Sequence, residues 1–302
     1  MLNLQMVMFL LVAIGFFVRK RGIVGAEGRK NMIDLCLFVV LPFNVLGSFL
    51  REWDPKLLVT CSLVLLLSTG YNAISVLFSI ILYRRNSDKR QKTLKYGTIV
   101  SNSGFLGNPV IEGIYGSSGL LYAALFMLPV RIVMWSYGVS VFLRGQEPVT
   151  EKKNSVWKKI LTHPCIVAIY VGAIIMVSGV KLPTPVEDTI LAISKCNTPL
   201  SMMLVGMMLA EINPKGLIDK TMVFYASVRL LMIPAVIYAS TAYLPVDPVL
   251  RGITVIMAGM PAPITTALLS AKYGGDEEYA TGMIFITTIL SLITLPMWCA
   301  VL

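Results

Sequence analysis

Ten blocks of apolar residues, each about as long as a bilayer is thick, constrain this chain more than any motif in it. A helix needs about 20 such residues to cross the hydrocarbon core. The candidates are residues 3–18, 31–50, 57–83, 96–115, 119–143, 163–180, 189–210, 220–243, 250–272 and 278–301. Within them the apolar residues neither alternate nor follow a single stripe, as they would in a soluble core. In lipid every backbone polar group must be satisfied within the protein, which leaves helices as the reading for blocks of this length. The expected fold class is all-α integral membrane. The first block, in MLNLQMVMFLLVAIGFFVRKRG, carries its charges after the apolar run and no basic stretch before it, the reverse of a cleavable signal peptide. It is read as a retained first span.

Basic residues set the orientation. Arg19, Lys20, Arg21, Arg29 and Lys30 fall between spans 1 and 2, and Arg84, Arg85, Lys89, Arg90, Lys92 and Lys95 between spans 3 and 4. Arg144, Lys152, Lys153, Lys158 and Lys159 follow span 5, and Lys215, Lys220 and Lys272 lie on the same side. The opposite side has only Arg51, Lys56, Lys181 and Arg251. By the positive-inside rule the odd loops are cytoplasmic and both termini lie outside. This placement explains the formal net charge of +10 without nucleic acid, which is excluded as a partner. Five dispersed cysteines and one histidine argue against a disulfide framework, a metal centre or a Cys/His nucleophile. No G-x-x-x-x-G-K-[ST] loop is present, so ATP-driven pumping is not indicated and no cofactor is expected.

The basic loop 144–162 divides residues 1–143 from 163–302, and the halves correspond at an offset near 157 residues. Asp54-Pro55-Lys56 after span 2 answers Asn213-Pro214-Lys215 after span 7, and Pro42 answers Pro199. Gly97 and Gly104 answer Gly252 and Gly259, Tyr115-Gly116 answers Tyr273-Gly274, and Tyr122-Ala123 answers Tyr279-Ala280. Five spans per copy is an odd number, so the second copy enters from the opposite face. The expectation is two inverted five-helix repeats, an arrangement of secondary transporters that places substrate where the repeats meet.

Spans 4 and 9 are interrupted at matching positions. Span 4 contains SNSGFLGNPVIEGIYG and span 9 contains MAGMPAPITTALLSAKYGG. An internal proline costs about 3 kcal/mol or more in a helix, and in lipid such backbone survives only when buried in protein or lining a cavity. Broken spans that cross would each present a half-helix N-terminus, with free N–H groups and a positive dipole end suited to an anion. Asn102, Asn108, Thr265 and Thr266 stand beside the breaks with hydrogen-bonding groups and no fixed charge; Pro109, Pro261 and Pro263 make the breaks. Pro129, Pro234 and Pro296 are read as simple kinks.

Ionisable residues within spans are Glu112, Arg131, Lys195 and Arg229, candidates for a proton or charge role. The plain alternative for the arginines is a tie to helix ends or backbone carbonyls, and Lys195 can reach the interface by snorkelling. Asp219-Lys220-Thr221 faintly matches an aspartyl-phosphate site, without a domain to house one. Asp276 after Gly275, with Asp34 as its mate, is a poor match to an intramembrane aspartyl protease, which needs two carboxylates sharing a proton.

The run Asn102-Ser103-Gly104-Phe105-Leu106-Gly107-Asn108-Pro109, closing with Tyr115-Gly116, resembles the span-4 motif of the auxin efflux carrier family. Pro261, Pro263 and Ala271-Lys272-Tyr273 of span 9 are similar to that family too, as is Asn213-Pro214-Lys215. The family includes plant auxin carriers and bacterial permeases for malonate, malate and similar carboxylates. The resemblance covers essentially the whole chain. It implies ten spans with broken, crossing helices 4 and 9, and a scaffold of spans 1, 2, 6 and 7 that also makes a homodimer. Spans 3–5 and 8–10 would then move as an elevator. It further implies Asn102 as a substrate-contacting asparagine, Pro109 as the crossover proline, and Asn44, just after Pro42, as part of the site. The short loop 144–162 and Glu112 after the span-4 proline depart from the plant carriers and speak against indole-acetate. The expected function is a secondary carrier for small organic anions, mono- or dicarboxylates, in the plasma membrane. A membrane hydrolase using Asp34 and Asp276, or a non-transporting sensor, is the alternative.

Overall fold

A computed structural model describes residues 2–84, 86–143, 161–211 and 219–302. Arg85, the linker residues Arg144, Lys152, Lys153, Lys158 and Lys159, and Asn213-Pro214-Lys215 lie outside the described residues. The described residues contain helices and no strand. In chain order these are α1 (Leu2–Lys20), α2 (Ala26–Ser48), α3 (Lys56–Leu82), α4 (Asp88–Ile99), α5 (Asn108–Val133), α6 (Val139–Leu143) and α7 (Pro164–Ser178). They continue as α8 (Thr184–Lys195), α9 (Asn197–Glu211), α10 (Lys220–Ala242), α11 (Pro248–Ala258), α12 (Thr265–Tyr273) and α13 (Glu277–Val301). Among the described residues six helical runs are long and apolar enough to cross a membrane: Ala26–Ser48, Leu57–Leu82, Asp88–Leu143, Thr184–Glu211, Lys220–Ala242 and Glu277–Val301. Pro164–Ser178 and Pro248–Ala258 are shorter apolar helices.

The chain packs as two units, each drawing on both halves of the sequence. Unit one comprises Met1–Leu63, Gly104–Leu125 and Lys158–Glu211; unit two comprises Val64–Ser103, Phe126–Trp157 and Ile212–Leu302.

Unit one is organised by the pairing of α1 with α9. A Cβ on Gly15 would run into the Met203 backbone, and one on Gly206 into the Val12 carbonyl. The reciprocity of these contacts, with Arg19 paired to Glu211 further along, sets the two helices side by side in the same direction. Small residues let helix backbones approach this closely where no water is available to drive association. Glu211 also takes Arg29 at 2.9 Å, which ties the start of α2 to the end of α9. Behind this pair Cys36, Val40, Leu41, Cys165, Leu204 and Met207 form a buried cluster. Gly172 of α7 faces the Phe49 ring without room for a side chain.

In unit two the cost of each interrupted helix is met locally. Pro234 has no N–H for the Leu230 carbonyl four residues earlier, and Trp298 Nε1 of α13 donates to that carbonyl instead, at 2.9 Å. The turn of α10 before it is a π segment, Val228–Met232. Near Pro129, the carbonyl of Phe126 accepts from Ser68 Oγ at 2.6 Å. Of the three proline kinks expected from the sequence, those at Pro129 and Pro234 thus each have a donor from another helix close by.

Two aspartates start helices in the same unit and share one arginine. Asp219 Oδ1 accepts from the Met222 N–H at 2.7 Å and Asp276 Oδ1 from the Tyr279 N–H at 3.0 Å, both as N-caps. Arg90 reaches their other oxygens at 3.0 and 3.2 Å and stacks 4.5 Å from the centre of the Tyr279 ring. One guanidinium therefore holds the starts of α10 and α13 to α4.

Gly206→Val is expected to cost about 1–3 kcal/mol by forcing α1 and α9 apart. A lower midpoint of thermal unfolding in detergent micelles checks this, and an unchanged midpoint would contradict the close approach.

Candidate functional site

The predicted site residues distribute over both units. Asn102, Pro261, Pro263, Thr265, Thr266, Arg131 and Arg229 belong to unit two; Asn44, Asn108, Pro109, Glu112 and Lys195 belong to unit one.

In unit two the helical ladder stops twice. α4 ends at Ile99, and Val100 is extended at φ −109° and ψ 142°; α11 ends at Ala258, and α12 begins only at Thr265. The two interruptions meet: the Asn102 N–H donates to the Pro261 carbonyl at 2.8 Å. Pro261 and Pro263 suit this stretch because they have no N–H to leave unpaired. The Ala262 N–H between them donates to Thr287 Oγ of α13 at 3.0 Å.

Helices that stop inside the protein leave their last carbonyls without partners. Arg229, fully buried in α10, serves both ends at once. Its Nε donates to the Met260 carbonyl at 2.9 Å, Nη1 to Thr98 at 3.2 Å, and Nη2 to the Tyr71 hydroxyl at 3.0 Å. Tyr225 donates to the Gly97 carbonyl at 2.8 Å, and the Ser103 hydroxyl to Met257 at 3.3 Å. The structural alternative weighed for the arginines therefore describes Arg229, whose positive charge lies against the negative ends of α4 and α11. Arg131 is half-buried in the last turn of α5.

The helix starts beyond the interruptions are less completely served. At the start of α12, Thr265 Oγ accepts from the Tyr96 hydroxyl at 3.0 Å. Its neighbour Thr266 is fully buried and its hydroxyl has no partner. On the other side the helix resumes as a π segment, Ser103–Gly107, that runs directly into α5, and at this junction Asn108, 4% exposed, has a side-chain oxygen buried without a partner. Pro109 follows one residue past the junction, so the break expected at Asn108-Pro109 falls earlier, at Val100–Asn102. Buried polar atoms are nearly always hydrogen-bonded, so unfilled capacity at two predicted positions is a chemical signal. α5 is broken within its length at Gly116, φ 66°, just after Tyr115, and α12 ends at Gly274, φ 71°, just after Tyr273.

Asn44 lies in unit one and is fully buried. Its Nδ2 donates to Ser194 Oγ at 3.0 Å and to Glu112 Oε2 at 3.1 Å, and its Oδ1 accepts from Asn197 Nδ2 at 3.1 Å. Lys195 is exposed in the last turn of α8, next to the interruption at Cys196. Sequence reasoning found Asn44 and Glu112 but not Ser194, Asn197, Tyr71, Tyr96 or Tyr225. A usable signal existed for Asn197, two residues before Pro199 as Asn44 is two after Pro42.

Asp276 and Asp219, matched to hydrolytic and phosphorylated sites in the sequence, serve as helix caps paired with Arg90.

Replacing Arg229 with Met leaves two helix-end carbonyls and a hydroxyl without their donor, at about 1–3 kcal/mol each. Thermal unfolding should shift down sharply for the Met variant and less for Lys, which keeps one donor at a time.

A family model described as membrane transport protein matches residues 4–299. An "Uncharacterized transporter" of Methanothermobacter thermautotrophicus is 28% identical over 97% of this chain and 95% of its own length. Another, from Methanocaldococcus jannaschii, is 23% identical over 98% of this chain and 97% of its own. A Rhizobium meliloti protein named "Putative malonate transporter" is 21% identical over 75% of this chain and 72% of its own. With the apolar helices described above, these matches make the chain a multi-pass membrane protein and a transporter rather than an enzyme; it belongs to the membrane transport protein family, that of the auxin efflux carriers.

Proposed function

We propose that this protein is a secondary carrier of small organic anions, mono- or dicarboxylates, working by elevator-type alternating access. The observation that carries this reading is the fully buried Thr266 hydroxyl at the start of α12, a hydrogen-bond donor without a partner. It lies in the first turn of α12, at the positive end of that helix's dipole, which favours an anion. Asn102, Asn108, Thr265 and Thr266 are the proposed ligands, Pro109, Pro261 and Pro263 hold the backbone open, and Asn44 belongs to the same function from α2.

An inverted pair of five-span repeats with crossing, broken helices 4 and 9 is part of this proposal. It is supported by the hydrogen bond between Asn102 and Pro261 and by the left-handed glycines after Tyr115 and Tyr273. The division into units supports a scaffold and a moving part: α1, α2, α7, α8 and α9 fall in unit one, and α4, α6 and α10–α13 in unit two. The division of the sequence at 144–162, a plasma-membrane location with both termini outside, and a second copy of the chain as partner complete the proposal. Carboxylates are favoured as cargo because the proposed ligands offer donors without a fixed negative charge. The name of the Rhizobium meliloti relative agrees with that choice. Lys195 and Arg131 are proposed to add positive potential along the path. A hydrolase acting through Asp34 and Asp276 is not favoured, since Asp276 is held by Arg90 and by its capping bond.

Asn102→Ala should abolish flux of labelled malonate into proteoliposomes with unfolding temperature unchanged. Thr266→Val, which keeps the shape and removes the hydroxyl, should weaken a malonate-induced thermal shift by about tenfold in affinity, or ~1.4 kcal/mol. Wild-type flux from the Asn102 variant would remove that residue from the site. Binding by the wild type without any flux would favour a sensor.

A further inference from the structure

A second polar array lies in unit one. It begins at Cys36, whose thiol is 3.4 Å from Ser201 Oγ; Ser201 donates to Asn197 Oδ1 at 3.2 Å, and Asn197 donates to Asn44 at 3.1 Å. Asn44 then bonds Ser194 and ends the row at Glu112. Cys36, Asn44, Asn197 and Ser201 are all fully buried, and Glu112 is half-buried. Every member but the last is neutral, and the ion pairs of the described residues do not include Glu112. The contrast with Glu211, held by two arginines in the same unit, is plain.

A carboxyl within a span, with an amide as its partner and no fixed cation, has a proton as its available counter-charge. We propose that Glu112 is the carboxyl that takes up and releases the proton coupled to anion movement, with Asn44 as its positioning residue; this rests on the carrier reading above. The Asn44 N–H donates to Oε2 whether the group is ionised or protonated, so the row need not rearrange. The proton adds to Oε1, forming one O–H bond and leaving a neutral acid, and the same bond breaks when the proton leaves. Nothing is oxidised or reduced. An arginine partner would instead hold the group ionised.

The remaining titratable groups around the row are few. The α2 segment Leu41–Ser48 that presents Asn44 carries none. On α8, Glu187 lines an outer cavity with Arg51 and Lys181, Asp188 is exposed, and Lys195 closes the helix one residue beyond Ser194. On α9 only Glu211 ionises, and it is taken by Arg19 and Arg29. On α5 itself the other ionisable side chains are Tyr115, Tyr122 and Arg131, Arg51 reaches the helix at Ser118 Oγ, 2.9 Å away, and the far end of the row is the Cys36 thiol.

The test uses the full chain in lipid. An infrared difference spectrum between acidic and neutral buffer should show a protonated-carboxyl band that disappears in Glu112→Gln and shifts in Asn44→Ala. In proteoliposomes, labelled malonate is the probe. Glu112→Gln should lower the ratio of pH-gradient-driven accumulation to counterflow on the order of tenfold, whereas Glu112→Asp, which keeps a carboxyl, retains part of it. A spectrum in which Glu112→Gln removes no band overturns the proposal, as does gradient-driven accumulation by that variant equal to wild type. If wild-type protein moves no malonate in either mode, that reading of the cargo fails, and the infrared arm still decides whether Glu112 takes a proton.

Discussion

The structure depends on a requirement that water would otherwise meet: carbonyls at the ends of α4 and α11 must find donors inside the protein. A helix that stops in water hands its last carbonyls to solvent, but one that stops in an apolar surround cannot. Arg229 resolves this for both helices with one side chain, through Met260 and Thr98, and Tyr71 takes up its remaining fork. The choice of arginine follows from geometry, since a planar group with several donors reaches two carbonyls and a hydroxyl where a lysine would serve one direction at a time. Tyr225 and Ser103 complete the same task at Gly97 and Met257.

The two units handle buried polarity differently. Unit two spends a charge on backbone and gathers donors around it. Unit one avoids charge in its interior and uses a row of amides, hydroxyls and a thiol that ends at one carboxyl, while its arginines stay with Glu211 at the helix ends. A charge bonded to carbonyls is a permanent structural group. A carboxyl bonded to an amide can change its charge with little motion, and this difference separates a positioning role for Arg229 from a working role for Glu112.

Much of the fold was legible because apolar block length and proline position are local properties. The helices at Lys56–Leu82 and Glu277–Val301 lie within one residue of the blocks read at 57–83 and 278–301. The interruption of span 9 falls on Gly259, Pro261 and Pro263 as expected, that of span 4 falls on Val100–Asn102, ahead of its glycines and Pro109, and both Tyr-Gly pairs end in a left-handed glycine. Arg229 was visible as an intramembrane charge, yet its partners were not. Thr98 and Met260 contribute main-chain oxygens, and a main-chain oxygen has no letter in a sequence. The pairing of α1 with α9 was missed for a similar reason. Gly15 and Gly206 are unremarkable in their own helices and meaningful only against each other.

The sequence by itself determined that the chain is helical, that it spans a membrane several times, and that the fourth and ninth apolar blocks are interrupted. Span length, helix-breaking residues and the distribution of basic loops act through nearest neighbours and the solvent, so they can be read in order. Only the tertiary structure decided which polar groups meet. It joined Asn102 to Pro261, placed Arg229 under two helix ends, and set Asn44 between Asn197 and Glu112. Those pairings join residues from 31 to 159 positions apart, and a hydrogen bond depends on distance in space, which packing alone supplies.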